Sequence, residues 1–231
     1  MQKKKRFAVF DIDGTIFRSS LLIEVVEEMI RRGVFPETAH RQYFREKNNW
    51  QNRAGGYEDY IMGVVRAFGR NIKGVRFRDF QRASRAVVRA NKDRVYNYTR
   101  DLVRELKNKN YYLLAISHSP KYIVHDFALN LGFDKVYGRI LEWDEKKILT
   151  GNTYYEDLIM DKSKILKRVI EKEALTLKNS VGVGDTESDI AFLKMVDKPI
   201  CFNPNSVLYR AAKRNGWQVV VERKDVVYKL N

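Results

Sequence analysis

Short apolar runs recur along the chain, and between them lie stretches whose apolar residues return every three or four positions. Residues 7–10 (FAVF), 111–116 (YYLLAI), 180–184 (SVGVG), 199–202 and 217–221 are the runs. Runs this short and this continuous predict strands buried on both faces. Between them, Val95, Tyr98, Leu102, Val103 and Leu106 keep helical spacing over residues 94–107. Residues 123–131, 164–170 and 190–196 repeat that pattern. Strands covered by intervening helices predict an α/β fold, a Rossmann-like, doubly wound, mostly parallel sheet.

Residues 16–93 break the alternation. Their periodicity is helical throughout, over 21–32, 37–48, 57–68 and 77–90, with Gly33 and Pro36, Gly55-Gly56, and Gly69 to Gly74 as punctuation. The expected organisation is therefore a core of residues 1–15 and 94–231, with an all-helical domain of residues 16–93 inserted after the first strand. A second irregularity spans residues 138–149. Ile140-Leu141, a charged Trp143-Asp144-Glu145-Lys146-Lys147 segment and Ile148-Leu149 read as a β-hairpin.

Composition adds limits. A chain of 231 residues, 44% hydrophobic and 32% charged, has enough apolar surface for a folded core and an insertion. No apolar run approaches the ~20 residues of a membrane span. The basic start at residues 1–6 is followed by an apolar stretch that Asp11 interrupts, so an export signal is not expected. A single cysteine, Cys201, excludes an internal disulfide and a cysteine-based metal cluster, and the cytoplasm is the simplest compartment. Net charge is +15, unevenly spread. Residues 31–95 hold 16 Lys/Arg against 6 Asp/Glu, a surplus of +10. Such a field either attracts anionic partners or serves solubility alone.

Candidate chemistry collects where the predicted strands end. Asp11 and Asp13 follow the first run, and side-by-side carboxylates repel unless a metal or a proton lies between them. Ser117 follows the second run. Lys162 opens a later helix, and Asp185 and Asp189 follow the third run in GDTESD. Each has an ordinary alternative: Asp189 suits a helix N-terminus, Ser117 a cap, Lys162 a solvated surface. Together they are what phosphoryl transfer requires. A carboxylate serves as nucleophile, a second one handles protons, Mg²⁺ takes oxygen ligands, and a hydroxyl and an ammonium cradle the phosphoryl oxygens.

In that order the motifs resemble the haloacid dehalogenase superfamily of phosphohydrolases, over essentially the whole chain. DIDGT matches the first motif, Ser117 the second, Lys162 in DKSKIL the third and GDTESD the fourth. The helical insertion resembles that family's cap. The segments SHSPKYIVHDFALNLGFDKVYGRILEWDEKKILTG and FNPNSVLYRAAKRNGW resemble the phosphoserine-phosphatase-like branch. The resemblance implies a Mg²⁺-dependent phosphomonoesterase acting through an aspartyl-phosphate on a small phosphorylated metabolite. It implies Asp11 as nucleophile and Asp13 as general acid/base, with the Asp13 backbone carbonyl offered to the metal. It further implies that Thr15 orients that loop and that Ser117 and Lys162 hold the phosphoryl group. Asp185 becomes a metal ligand and Asp189 a ligand or orienting partner. Lys164 competes with Lys162 for the lysine role.

The chain departs from that branch at two points. Where the branch carries a glutamate that grips a substrate amino group, this chain has Ser19-Ser20, and the first acid after them is Glu24. Where the branch has two glycines, this chain has His118-Ser119. Both departures weigh against phosphoserine. His118 either donates to substrate or packs in its loop. In the insertion, Arg82, Arg85 and Arg89 share a helical face, after Arg76 and Arg78. Arg41, Arg45 and Arg53 interleave with Tyr43, Trp50 and Tyr57. These arginines either read a second anionic group or form an exposed face. They also support a second function class, a nucleic-acid-binding module with or without end-phosphatase activity.

Overall fold

The structure, a computed structural model, describes residues 4–230; residues 1–3 of the basic start lie outside them. In chain order the elements are β1 (Lys5–Phe10), α1 (Leu21–Arg31), α2 (Thr38–Arg41), α3 (Phe44–Gln51), α4 (Tyr57–Ile72), α5 (Phe77–Asn91) and α6 (Asn97–Asn108). Then come β2 (Tyr112–Pro120), α7 (Lys121–Asn130), β3 (Lys135–Trp143), β4 (Leu149–Tyr154), α8 (Glu156–Ile159), α9 (Lys162–Lys172) and β5 (Leu175–Gly184). A 3₁₀ turn at Glu187–Asp189 leads into α10 (Ile190–Leu193), β6 (Lys198–Phe202), α11 (Ser206–Asn215), β7 (Gln218–Arg223) and β8 (Val226–Leu230).

Contacts divide the chain into two compact units. The first comprises residues 4–18, 92–139 and 155–230. Its sheet runs β3-β2-β1-β5-β6-β7-β8, parallel except for β8, which returns antiparallel on β7. Phe7, Ala8, Val9 and Phe10 of β1 are all fully buried, as a central strand covered on both faces must be. Phe7 and Val9 pack with Leu114, Ile116, Leu166, Val169, Phe192 and Leu208. Phe10 meets Phe133 edge-to-face, the ring centroids 5.7 Å apart. Each fully buried large apolar side chain contributes roughly 1.5–3 kcal/mol. The chain leaves β1 toward β2 and β3 on one side, then returns to β5, β6 and β7 on the other. That reversal at β1 places its C-terminal end at the switch point where open α/β sheets bind ligands.

The second unit comprises Ser19–Asn91 and Ile140–Tyr154. Its helical part is all-helical, as the periodicity predicted, but residues 37–48 form two helices rather than one. Tyr43 leaves the helical range between them, with φ −137° and ψ 4°, and is fully buried. Tyr60 stacks on Trp50 at 5.6 Å, and Phe68 meets Phe35 and Phe80 edge-on. The hairpin of β3 and β4 shares this unit, whereas the sequence alone assigned it to the core. The reason is a set of non-local bonds. The amide of Leu149 donates to the carbonyl of Val75, that of Gly74 to Leu149, and that of Phe77 to Lys147, each at 2.8 Å. Trp143 lies 4.5 Å from Phe77, ring to ring. The Asp144 carboxylate accepts the amides of Lys146 and Ile148, which closes the charged turn. Among the described residues no helix is long and apolar enough to cross a membrane.

Candidate active site

Parallel pairing brings the predicted residues together within the first unit. Phe10 lies opposite Ala115 of β2 and Val183 of β5, so residues beyond these three positions emerge side by side. Asp11 follows β1, and its amide donates to the carbonyl of Val183 at 2.9 Å. Ser117 belongs to β2 and is fully buried. Asp185 follows β5, and Asp189 ends the 3₁₀ turn after it. Lys162 is the first residue of α9, whose cap, Asp161, accepts the amide of Ser163.

Lys162 is 2% exposed, and its ammonium donates to Asp11 Oδ1 and Asp189 Oδ1, both at 2.6 Å. Burial works to lower its pKa, but the two carboxylates outweigh it and hold the lysine above its ordinary value. Lys164 is exposed and takes no part in this cluster. Asp189 Oδ2 accepts the amides of Asp185 (3.0 Å) and Thr186 (3.1 Å), which ties the carboxylate to its own turn. Gly184 allows this approach, since a Cβ there would collide with the Asp189 carboxyl group. Gly14 does the same for Asp185, and it also holds a positive φ of 79°. Thr15 donates from Oγ1 to Asp185 Oδ1 at 3.2 Å. The carbonyl of Thr15 accepts Thr99 Oγ1 at 2.9 Å, so Thr99 of α6 anchors the loop that carries both acids. Nothing in the spacing of the sequence pointed to Thr99, whose partner lies 84 positions away.

Asp11 is pushed up to about 7, chiefly by burial. Lys162 pulls against that, and Asp189 and Asp13 add to it. Asp185 is also held well above the usual carboxylate range, by burial and then by Asp11 and Asp189. Asp11, Asp185 and Asp189 each offer an oxygen within 4.8 Å of the others. Asp11 Oδ2 is buried and has no hydrogen-bond partner among the described residues. Three acids crowded against one ammonium, with an orphaned carboxylate oxygen, form an all-oxygen donor set that fits a hard divalent cation. Asp13 stands outside that trio. Its Oδ2 accepts Ser117 Oγ at 2.6 Å, and Ser117 Oγ in turn accepts the amide of Ser119 at 2.9 Å.

His118 neighbours Ser117 and is pushed down to about 4. Burial comes first, then the positive charge of Lys162, with Arg139 adding and Asp189 opposing. Its imidazole is therefore neutral at pH 7. The arginines of the second unit are another matter. Arg76, Arg78, Arg82, Arg85 and Arg89 all lie exposed on or just before α5, with Arg82 3.9 Å from Asp79. Trp50 and Trp143 are packed against Tyr60 and Phe77, and Trp217 against the core of the first unit.

A family model described as haloacid dehalogenase-like hydrolase matches residues 8–194. The chain is 24% identical to a phosphoserine phosphatase of Methanocaldococcus jannaschii over 98% of its own length and 96% of the relative's. It is 20% identical to a histidinol-phosphatase of Neisseria meningitidis, over 94% of this chain and 98% of the other. Among solved structures, a phospho-aspartyl intermediate analogue of phosphoserine phosphatase superposes with a TM-score of 0.63 at 22% identity. That match covers 96% of each chain.

Proposed function

The chain belongs to the haloacid dehalogenase-like hydrolase family and to its phosphoserine-phosphatase-like phosphatases, and from that premise we propose that it is a Mg²⁺-dependent phosphomonoesterase working through an aspartyl-phosphate. The observation that carries this reading is the buried Asp11, one oxygen held by Lys162 and the other left without a partner. A carboxylate fixed on one side and open on the other is built to meet an electrophile.

In the first step an Asp11 oxygen bonds to phosphorus, the ester P–O bond breaks, and Asp13 gives its proton to the departing alcohol. In the second, Asp13 takes a proton from water, whose oxygen bonds to phosphorus and releases inorganic phosphate and free Asp11. Ser117, whose hydroxyl donates to Asp13 Oδ2, turns it to a phosphoryl oxygen. Lys162 neutralises charge on the transferring group and pulls Asp11 toward its ionised form. Asp11, Asp185, Asp189 and the Asp13 backbone carbonyl would hold Mg²⁺, which supplies charge neutralisation at the phosphoryl oxygens when bound.

The substrate is a small phosphorylated metabolite. Curated relatives include both a phosphoserine phosphatase and a histidinol-phosphatase, so the family resemblance alone spans different alcohols. Ser19-Ser20 and His118-Ser119 argue for an alcohol other than serine. The helical unit acts as the cap that selects it.

The test is phosphate release with Mg²⁺ across a panel of phosphomonoesters. Wild-type protein turns over at least one compound, and Asp11→Asn, folded as judged by circular dichroism, loses that turnover by more than 10³-fold, by analogy with other nucleophile removals. Residual activity within tenfold of wild type removes Asp11 from the nucleophile's role.

A further inference from the structure

The cation at the end of the first unit's stretch of β3 is short of acceptors. The side chain of Arg139 is only 21% exposed. Its Nη1 lies 3.9 Å from Glu156 Oε1, too far for a hydrogen bond, and Glu156 is itself 59% exposed. Its Nη2 donates to the sulfur of Met160 at 3.4 Å, and a thioether is a weak acceptor. Its Nε is buried and has no hydrogen-bond partner among the described residues. A guanidinium carries five N–H donors that match an oxyanion in pairs, and withdrawing one from water without such a match is unfavourable.

Position gives this deficit its meaning. β3 lies parallel beside β2, with Arg139 opposite Pro120, three residues past Ser117. Met160 stands two residues before Lys162. His118, between Ser117 and Ser119, feels the charges of both Lys162 and Arg139, and its Nε2 is a second buried atom without a partner among the described residues. Both orphaned nitrogens therefore belong to the same strand ends as the phosphoryl-binding groups. His118 gives Arg139 no counter-charge in either protonation state. The exposed Glu156 gives it a weak one.

Resting on the phosphatase reading above, we propose that Arg139 is a specificity-determining residue that grips a second oxyanion on the substrate, a carboxylate or a further phosphate, while Ser117 and Lys162 hold the phosphoryl group. The enzyme then prefers phosphomonoesters whose alcohol portion is itself anionic.

Three esters of one two-carbon scaffold test this: ethyl phosphate, phosphoglycolate and ethanediol bisphosphate, which carry no second anion, a carboxylate and a second phosphate. In wild-type protein with Mg²⁺, kcat/KM for one of the anionic esters exceeds that for ethyl phosphate by about 10- to 100-fold, mostly through KM, as a charge-assisted contact warrants. The favoured ester says which oxyanion is read. In Arg139→Gln the ratio falls to about one, and in Arg139→Lys, which keeps the charge and loses the fork, it lies between. A wild-type ratio near one overturns the proposal, as does an unchanged ratio in Arg139→Gln. Where Arg139→Gln does not fold, the wild-type ratio and the lysine variant still decide. Failure of wild-type protein across the whole phosphomonoester panel overturns the phosphatase reading itself, whereas turnover of panel members with no preference for the anionic esters overturns only the role of Arg139.

Discussion

At the scale of single residues, this protein's chemistry comes from charges placed where water does not compensate them. Asp11 and Asp189 each pair with the buried Lys162 while repelling one another, and removing the lysine leaves two buried carboxylates uncompensated. His118 shows the same principle through pH. Its unfolded imidazole titrates near 6.5, whereas the folded one is pushed down to about 4. Between those values the unfolded chain binds a proton that the folded chain refuses, so stability rises with pH across that window. It is fully present above about 6.5 and is lost as pH falls toward about 4. The melting temperature of wild-type protein therefore drops on acidification from about pH 7 to about pH 4.5 more steeply than that of His118→Gln. Parallel curves for the two proteins would contradict a buried neutral His118. The acids, the serine and the lysine were legible in the sequence because each follows an apolar strand or opens a periodic helix. Arg139 was not, because its deficit depends on Glu156 and Met160, which stand at the start and just past the end of α8. Thr99 was hidden for the same reason.

At the scale of elements, the buried strands were plain in the sequence and the exposed ones were not. β1, β2, β5, β6 and β7 carry the apolar runs from which they were expected. β8 does not: all of its residues are exposed, and VVYKL looks no different from a tail until β7 pairs with it. The hairpin was read correctly as a hairpin. Its membership of the helical unit rests on backbone bonds to Gly74, Val75 and Phe77, which no local pattern announces. One element boundary yields a direct measurement. Glu222, at the end of β7, accepts the amides of Asn97 (3.1 Å) and Tyr98 (2.8 Å) at the start of α6. A carboxylate there satisfies two orphan donors and meets the positive end of the helix. Glu222→Ala should cost about 1–2 kcal/mol, read as a lower urea midpoint with an unchanged slope. A loss under about 0.3 kcal/mol would show that water replaces the carboxylate at that cap.

At the scale of the whole molecule, three carboxylates that bring oxygens within 4.8 Å of one another share a single ammonium, and the charge it leaves uncompensated opposes folding until a further cation joins them. Mg²⁺ should therefore raise the melting temperature at neutral pH. At a concentration 100 times its dissociation constant the gain is about 2.7 kcal/mol. Asp185→Asn should lose most of that rise. An identical rise in the variant would place the cation elsewhere. The order in which the chain is made bears on the same site. Val9 of β1 pairs with Leu114 and with Gly182, roughly a hundred and more than a hundred and fifty residues further along. On a ribosome the strand that presents Asp11 emerges early, yet both of its neighbours emerge only after the helices of residues 21–91 have been synthesised. Those helices rely on nearer contacts and are free to collapse first, while β1 waits as an unpaired apolar segment. Nascent chains stalled before β5 should accordingly engage holding chaperones through residues 7–10, and catalysis should appear late and all at once, when the third strand closes on the first.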